Sequence, residues 1–365
     1  MAIWNFMNKK EEEIINNQYI LVGVDLGYGQ VKSFSKHDKY KFLSAVGTPV
    51  SDFGRTTAVV NKDELLKSLT ITYDNKKYYV GHNAILNSRN GRLSLRQNKA
   101  ENEDNKIKFM TSLALLMDED QEYMEADIIT GLPVLEYKNQ DKLFNMIYNF
   151  GRPFEFTMHY GPKEVRKTIT IKNIKILSQG EAAFYDYILD LNGDIIMEKA
   201  ALVNGTVMVV DPGYKTTDIV TMENGRYVET LSDQFNTGVN QIHQEVLRLI
   251  MERLNIKKEL KDMDQIVRSG KLFHNMKEYN VEKIIEDAAT PFAEGIVDNL
   301  INLSNDGLGS MQRIILTGGG SQIIYPYIKS LLNGIIEVEL MNDAEFCNTS
   351  GYYKYGLLLK KSGNL

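Results

Sequence analysis

Short apolar runs that end in glycine turns recur along this chain, separated by stretches with apolar residues at helical spacing. The run Tyr19 to Val24 reads as a buried strand that delivers Asp25 into the turn Asp25-Leu26-Gly27-Tyr28-Gly29. The run Val207 to Val210 delivers Asp211 into Asp211-Pro212-Gly213-Tyr214-Lys215 in the same way. A third glycine turn, Thr317-Gly318-Gly319-Gly320-Ser321, follows the strand 313–316. One such turn is weak evidence. Three, in this order and at this separation, suggest two related halves closing on one nucleotide.

The rest of the pattern repeats the same plan twice. In the first half, Val31 to Phe34 and Tyr40 to Val46 read as a hairpin turning near His37-Asp38. Residues 50–100 are mixed and polar, broken at Gly54, Gly81 and Gly91, and read as a small subdomain. A helix is predicted over Asn105 to Met117, a strand over Asp127 to Thr130, and a helix after Gly131-Leu132-Pro133 to about Ile147. Strands over 154–159, 165–171 and 174–177 lead into a helix over 181–191. In the second half, strands over 206–211, 217–222 and 226–231 surround Asn224-Gly225, a strong hairpin turn. Gly238 to Leu254 is amphipathic, and 255–310 reads as largely helical, a second small subdomain. A helix over 325–332, a strand over 335–340 and a last helix from Thr349 complete the chain.

Composition narrows the class. The 365 residues fit two domains, and a hydrophobic fraction of 43% supports real cores. The net charge of -6 disfavours direct, non-specific binding to a phosphate backbone. A single cysteine, Cys347, allows no internal disulfide and points to a reducing cytoplasm. The five histidines show no pair at metal-ligand spacing. No apolar run approaches the roughly 20 residues that span a bilayer. The first 18 residues carry Ile3, Trp4, Phe6 and Met7, then Lys9 and Lys10. They read as a short membrane-touching anchor, or as a tail that docks on a partner or on the protein itself. Their shortness, and repulsion of Glu11, Glu12 and Glu13 by an anionic bilayer, favour the tail.

The turns carry the candidate chemistry. A glycine turn after a strand exposes consecutive backbone N–H groups, a nest for an anion. Gly27 and Gly29 let the chain approach a phosphate closely. Gly213, Thr216 and Thr217 offer the same from the other half, with hydroxyl donors. Lys32, seven residues after Asp25, returns along the hairpin toward the same phosphates. Magnesium prefers one or two carboxylates and several waters, so Asp211 first and Asp25 second are candidates to hold its water shell. Gln179, between a strand and a helix, is suited to orient an attacking water, with Glu181 as the competing residue. Plainer roles stand beside these. Gln179 can cap the following helix, and Asp218 can satisfy backbone N–H groups at its turn. Neither the dinucleotide fingerprint nor the Gly-x4-Gly-Lys-Ser/Thr phosphate loop occurs.

Together these stretches resemble the motifs of the actin-like ATPase superfamily. Asp25 to Lys32, with Tyr28 and Gln30, is similar to its first phosphate motif, and 176–183 to its first connecting motif. Residues 209–218, with Tyr214 and Lys215, match the second phosphate motif, and 314–324 the adenosine motif. Asn348-Thr349-Ser350-Gly351-Tyr352 resembles the second connecting motif. Thr130-Gly131-Leu132-Pro133-Val134 and the run 351–356 look most like ParM and the related plasmid-segregation actins. The resemblance implies an α/β, ribonuclease H-like duplicated fold with a nucleotide cleft between its halves. Domain I would span 19–180 and 345–365, with a small subdomain about 36–100. Domain II would span 181–344, with a small subdomain about 240–310. ATP or GTP with magnesium would lie at the cleft base. Gly318, Gly319, Gly320, Ser321, Gln322 and Ile323 would face the base, and Gly238, Asn240, Arg268 and Lys271 the nucleoside.

The resemblance further implies head-to-tail filaments of this chain, ATP hydrolysis coupled to assembly, and plasmid segregation through a ParR-like DNA-binding adaptor on a centromere-like site. A small-molecule kinase of the same superfamily is the second expectation. A membrane-associated cytoskeletal actin of the MreB or FtsA kind is the third. A chaperone is the least favoured, since no substrate-binding domain follows residue 365.

Overall fold

The computed structural model describes residues 19–50, 61–88, 92–93, 103–304 and 306–365. The apolar segment Ile3 to Met7, and Gly54 and Gly91, lie outside these described residues.

Two mixed sheets are built on one plan. The first contains β1 (Tyr19–Leu26), β2 (Gln30–Phe34), β3 (Lys39–Leu43), β4 (Ala45–Gly47), β5 (Thr70–Tyr73), β6 (Lys76–Val80), β7 (Arg92–Leu93), β8 (Tyr123–Leu132), β9 (Phe154–Tyr160) and β10 (Lys163–Ser178). Their spatial order is β3-β2-β1-β8-β10-β9-β5-β6-β4-β7. The second contains β11 (Thr206–Pro212), β12 (Thr217–Glu223), β13 (Arg226–Tyr227), β14 (Asp233–Phe235), β17 (Arg313–Leu316) and β18 (Val338–Leu340). It runs β13-β12-β11-β17-β18, with β14 also on β12. In each sheet the carboxylate-bearing strand pairs antiparallel with the strand after it and parallel with a strand far along the chain. The predicted repeat is thus a repeat of topology. β15 (Lys271–His274) and β16 (Lys277–Asn280) form a separate hairpin.

Several expected boundaries moved for physical reasons. The two strands expected over 165–171 and 174–177 are one strand, β10, with a register shift at Lys172-Asn173. The first small subdomain, for which the sequence suggested no strands beyond Val46, contributes β5, β6 and β7, which with β4 extend the first sheet beyond β9. The segment 255–310, read as largely helical, also holds the β15–β16 hairpin, whose turn places Asn275 and Met276 at positive φ. It lacks the Asn-Gly pair that marks such turns.

The helices are α1 (Lys62–Lys67), α2 (His82–Asn87), α3 (Glu103–Ala114), α4 (Gln140–Tyr148), α5 (Gln179–Ile188), α6 (Ala200–Val203), α7 (Val239–Leu254), α8 (Met263–Ser269), α9 (Glu282–Leu303), α10 (Ser321–Leu331) and α11 (Cys347–Lys361). One apolar core joins α3 to the first sheet, and another joins α7, α9 and α10 to the second. Helices α5 and α11 form the seam. Ala182 and Tyr352 pack toward the first sheet with Leu21, Ile129 and Leu177. Ala183, Phe184 and Cys347 pack toward the second with Val207, Val209, Val220 and Ile315. A side chain added at Gly351 would overlap the carbonyl of Ala182, so the two helices cross with backbone against backbone. Beside that crossing, Lys354 pairs with Asp186 at 2.7 Å, both side chains nearly buried.

Candidate functional site

The site lies where β1 and β11 end, because each strand carries an apolar run into the core and stops at a buried carboxylate. Asp25 stands opposite Lys32 in the β1–β2 ladder, and Asp211 stands opposite Asp218 in the β11–β12 ladder. The seven-residue spacing therefore returns each hairpin to its own carboxylate. The turns after the two strands meet: a Cβ at Gly29 would sit 3.5 Å from the Cβ of Tyr214, ordinary contact. Lys215 Nζ lies 5.8 Å from the centre of the Tyr28 ring. Tyr28 donates its hydroxyl proton to Glu136. Burial first, then that carboxylate, holds the Tyr28 pKa well above the ordinary tyrosine value.

Gln179 is the first residue of α5, but it does not cap it. Ser178 is the cap, and the backbone N–H and hydroxyl of Ser178 donate to Glu181 Oε2 at 2.9 and 2.8 Å. With Glu181 occupied in that capping box, Gln179 points elsewhere. Its Nε2 donates to Asp25 Oδ1 at 2.8 Å, and both side chains are buried. Gly180 follows because α5 presses on β12: a Cβ there would lie 2.5 Å from the Cβ of Val220.

Asp211 is held on both sides. Asn348, in the first turn of α11, donates Nδ2 to its Oδ2 at 3.0 Å. Gly318 has φ +77, and any side chain there would overlap Asp211 Oδ1. Asp218 accepts from Gln234 Nε2 at 2.8 Å and, more weakly, from the Val134 N–H at 3.4 Å. Those bonds give Asp218 the structural role, stitching β12 to β14 and to the turn after β8. Thr217 donates its hydroxyl to the Thr237 carbonyl at 2.7 Å, and Thr216 lies 3.4 Å from Gln234 Nε2.

The start of α7 closes over the second turn. The N–H groups of Val239 and Asn240 donate to the carbonyls of Gly213 and Tyr214 at 3.0 Å. Gly238 leaves room for this, since a Cβ would meet the Lys215 carbonyl carbon at 2.5 Å. Asn240 Oδ1 is buried without a partner. Arg268 reaches the third turn, donating to the Gly319 carbonyl at 3.2 Å and to Gln322 Oε1 at 3.1 Å. Ser321 donates its hydroxyl to the Gly318 carbonyl at 2.6 Å, and Ile323 packs half-buried on the second core. Gly320 fits beneath the turn because a side chain would overlap the Pro212 carbonyl. Lys271 is not drawn in. It sits on the β15–β16 hairpin, paired with Glu278 at 2.9 Å.

Three residues lay outside the sequence expectations: Glu136 and Gln234, which bond to Tyr28 and Asp218, and His243; Asn348, expected only as part of the second connecting motif, bonds to Asp211. His243 is buried on α7 with Nε2 unpartnered, 4.0 Å from Asp264 Oδ1, and burial lowers its pKa. Its i+3 spacing from Asn240 was the one available clue. Among the described residues, no three His, Cys, Asp or Glu side chains gather as a metal cage.

Residues 23–181 match the family model of the actin-like proteins' N-terminal domain. Residues 209–330 match that of the archaeal actin homologue MreB-like C-terminal domain. No curated protein matches the chain at a significant level. Among solved structures, a 15-stranded ParM filament from Clostridium botulinum superposes with a TM-score of 0.74, is 23% identical, and shares 93% of this chain and 99% of its own. An apo ParM protein gives a TM-score of 0.71 at 20% identity, over 95% of this chain and 100% of that one. An archaeal actin homologue in complex with ADP gives 0.72 at 18% identity, over 92% and 99%.

Proposed function

Because this chain is an actin-like protein, with the two-domain fold that its strand order and both family models describe, we propose that it is an ATP-hydrolysing, filament-forming actin that segregates plasmid DNA. One observation carries the reading. Two glycine turns from the two halves face each other, each backed by a buried carboxylate held by an amide: Asp25 by Gln179, and Asp211 by Asn348.

The residues fit a magnesium nucleotide. The three turns offer backbone N–H groups for phosphates. Lys32 and Lys215 supply positive charge beside them. Asp25 and Asp211 are few enough to leave the ion most of its waters, as magnesium prefers. The unpartnered Asn240 Oδ1 at the start of α7 is an acceptor suited to a ribose hydroxyl. A magnesium ion held there would neutralise negative charge developing in phosphoryl transfer. Gln179, pinned through Nε2 to Asp25, keeps Oε1 as the acceptor that would orient a water without taking its proton. Arg268 braces the Gly319 turn against α8 on the nucleoside side.

The same reading includes filament formation. The turns belong to opposite halves, so a triphosphate gripping both favours one domain arrangement, and hydrolysis relaxes it. A head-to-tail contact that prefers the gripped arrangement gives open filaments. The chain is acidic, with a net charge of -6, so a basic ParR-like adaptor would hold the DNA at a centromere-like site. Among the described residues no helix is long and apolar enough to cross a membrane.

The test is right-angle light scattering of the purified protein on adding magnesium-ATP, with phosphate release followed in the same cuvette. A rise in scattering that decays as phosphate appears is expected. Phosphate release without scattering up to high protein concentration points instead to a small-molecule kinase or a non-polymerising ATPase.

A further inference from the structure

Asn348 is a buried amide with only half of its hydrogen-bonding capacity in use. Its side chain is 6% exposed, Nδ2 donates to Asp211 Oδ2 at 3.0 Å, and Oδ1 is buried with no partner. The amide cannot be turned the other way round. An ionised carboxylate only accepts, so the NH2 group must face Asp211 and the carbonyl oxygen must be the orphan. A buried acceptor left unsatisfied is costly, and native proteins retain one where a water or ligand completes it.

The geometry points to Asn348 as a positioning residue for the metal-nucleotide, a role that rests on the nucleotide site proposed above. Nδ2 fixes the Asp211 carboxylate, and Oδ1 accepts a hydrogen bond from a water of the magnesium shell. Such waters are strong donors, and a carboxylate beside an amide oxygen gives them two adjacent acceptors. Asn348 also stands on α11, which packs against β1, while Asp211 belongs to β11. The same bond therefore ties the first half's seam helix to the second half's carboxylate. Removing the outer partner of a metal-binding group typically costs about 10- to 100-fold in metal affinity.

The experiment titrates manganese(II) into the full-length protein saturated with ADP, reads free ion by electron paramagnetic resonance, and measures ADP affinity separately in EDTA. For Asn348→Ala the manganese affinity of the ADP complex should fall about 10- to 100-fold, with ADP affinity in EDTA within about twofold of wild type. Asn348→Ser keeps a shorter hydroxyl, so it should fall between the two, and it carries the test if the alanine variant does not fold. Unchanged manganese affinity overturns the assignment. So does a parallel fall of both affinities, which marks a structural role. Wild-type protein that binds no manganese with ADP overturns the site reading itself, whereas wild-type binding with an indifferent Asn348→Ala overturns only the role of Asn348.

Discussion

Gln179 and Asp25 stand 154 residues apart in the chain, yet the amide of one donates to the carboxylate of the other at 2.8 Å, with both side chains buried. The bond joins the start of α5 to the end of β1, and it exists because Ser178 and Glu181 satisfy the helix terminus without help from Gln179.

The first prediction concerns that amide. Gln179→Ala leaves the phosphate turns intact, so nucleotide affinity should change little. Phosphate release should fall roughly 100-fold, the scale of losing a positioned catalytic group. If hydrolysis loosens the filaments, as the proposed function holds, scattering should then persist after mixing with ATP. Phosphate release at the wild-type rate would remove Gln179 from the mechanism.

Asp211→Ala should abolish hydrolysis. The variant loses the carboxylate that Asn348 holds and that Gly318 packs against. Circular dichroism and the melting temperature separate loss of the site from loss of the fold. Wild-type turnover in a folded Asp211→Ala protein would refute the metal assignment.

The seam has no room at Gly351. An added methyl would overlap the Ala182 carbonyl and come within 3.1 Å of the Asp186 nitrogen, so α11 must shift off α5. Overpacking of this kind costs about 1–3 kcal/mol, and more where backbone meets backbone. Gly351→Ala should therefore lower the melting temperature measurably, whereas Gly295→Ala, where a Cβ meets nothing within 4 Å, should not. Equal melting temperatures would show that the seam is looser than its contacts imply.

The Asp186–Lys354 pair tests the same seam electrostatically. Lys354 Nζ also donates to the Asp186 carbonyl at 2.8 Å, so the ammonium is held twice. Asp186→Ala leaves a nearly buried ammonium without its counter-charge and should cost about 3–5 kcal/mol. Asp186→Asn, which keeps an acceptor, should cost less. Urea denaturation of both variants measures the difference, and equal loss would show that the charge, and not the hydrogen bond, is what the side chain of Asp186 contributes.

Much of this was legible in the sequence because the informative residues are local. A buried strand followed by a glycine turn is an apolar run and a small residue, and Tyr19 to Gly29 and Val207 to Gly213 state it twice. The hairpin at Asn224-Gly225 was readable for the same reason, and both residues take positive φ as its turn requires. The β15–β16 hairpin was not readable, because Asn275-Met276 carries no glycine. The fate of Gln179 was ambiguous for a different reason. Capping and long-range bonding use the same amide, and only the tertiary arrangement of Glu181 and Asp25 decides between them. Gln234 lay beyond reach, since no spacing rule links it to Asp218, and Asn348 was legible only as part of a motif, not as the partner of Asp211.

The last prediction follows from the tyrosines. Burial, the largest cause in each case, pushes Tyr19 and Tyr187 up to about 12, with Asp127 and Glu339 adding to it. It also holds Tyr28, Tyr185 and the fully buried Tyr352 above the ordinary value. In the unfolded chain these hydroxyls release their protons near pH 10. Between that value and the native one, the unfolded state binds fewer protons than the native state, so the slope of unfolding free energy against pH is negative. Their contribution is therefore complete below about pH 10 and is lost as pH rises through the native values. On alkaline titration, the tyrosinate absorbance of this set should appear only as the helical circular dichroism signal collapses. A single step near pH 10 with the helical signal intact would show that the seam around Tyr352 admits hydroxide, and that its burial is not what raises these values.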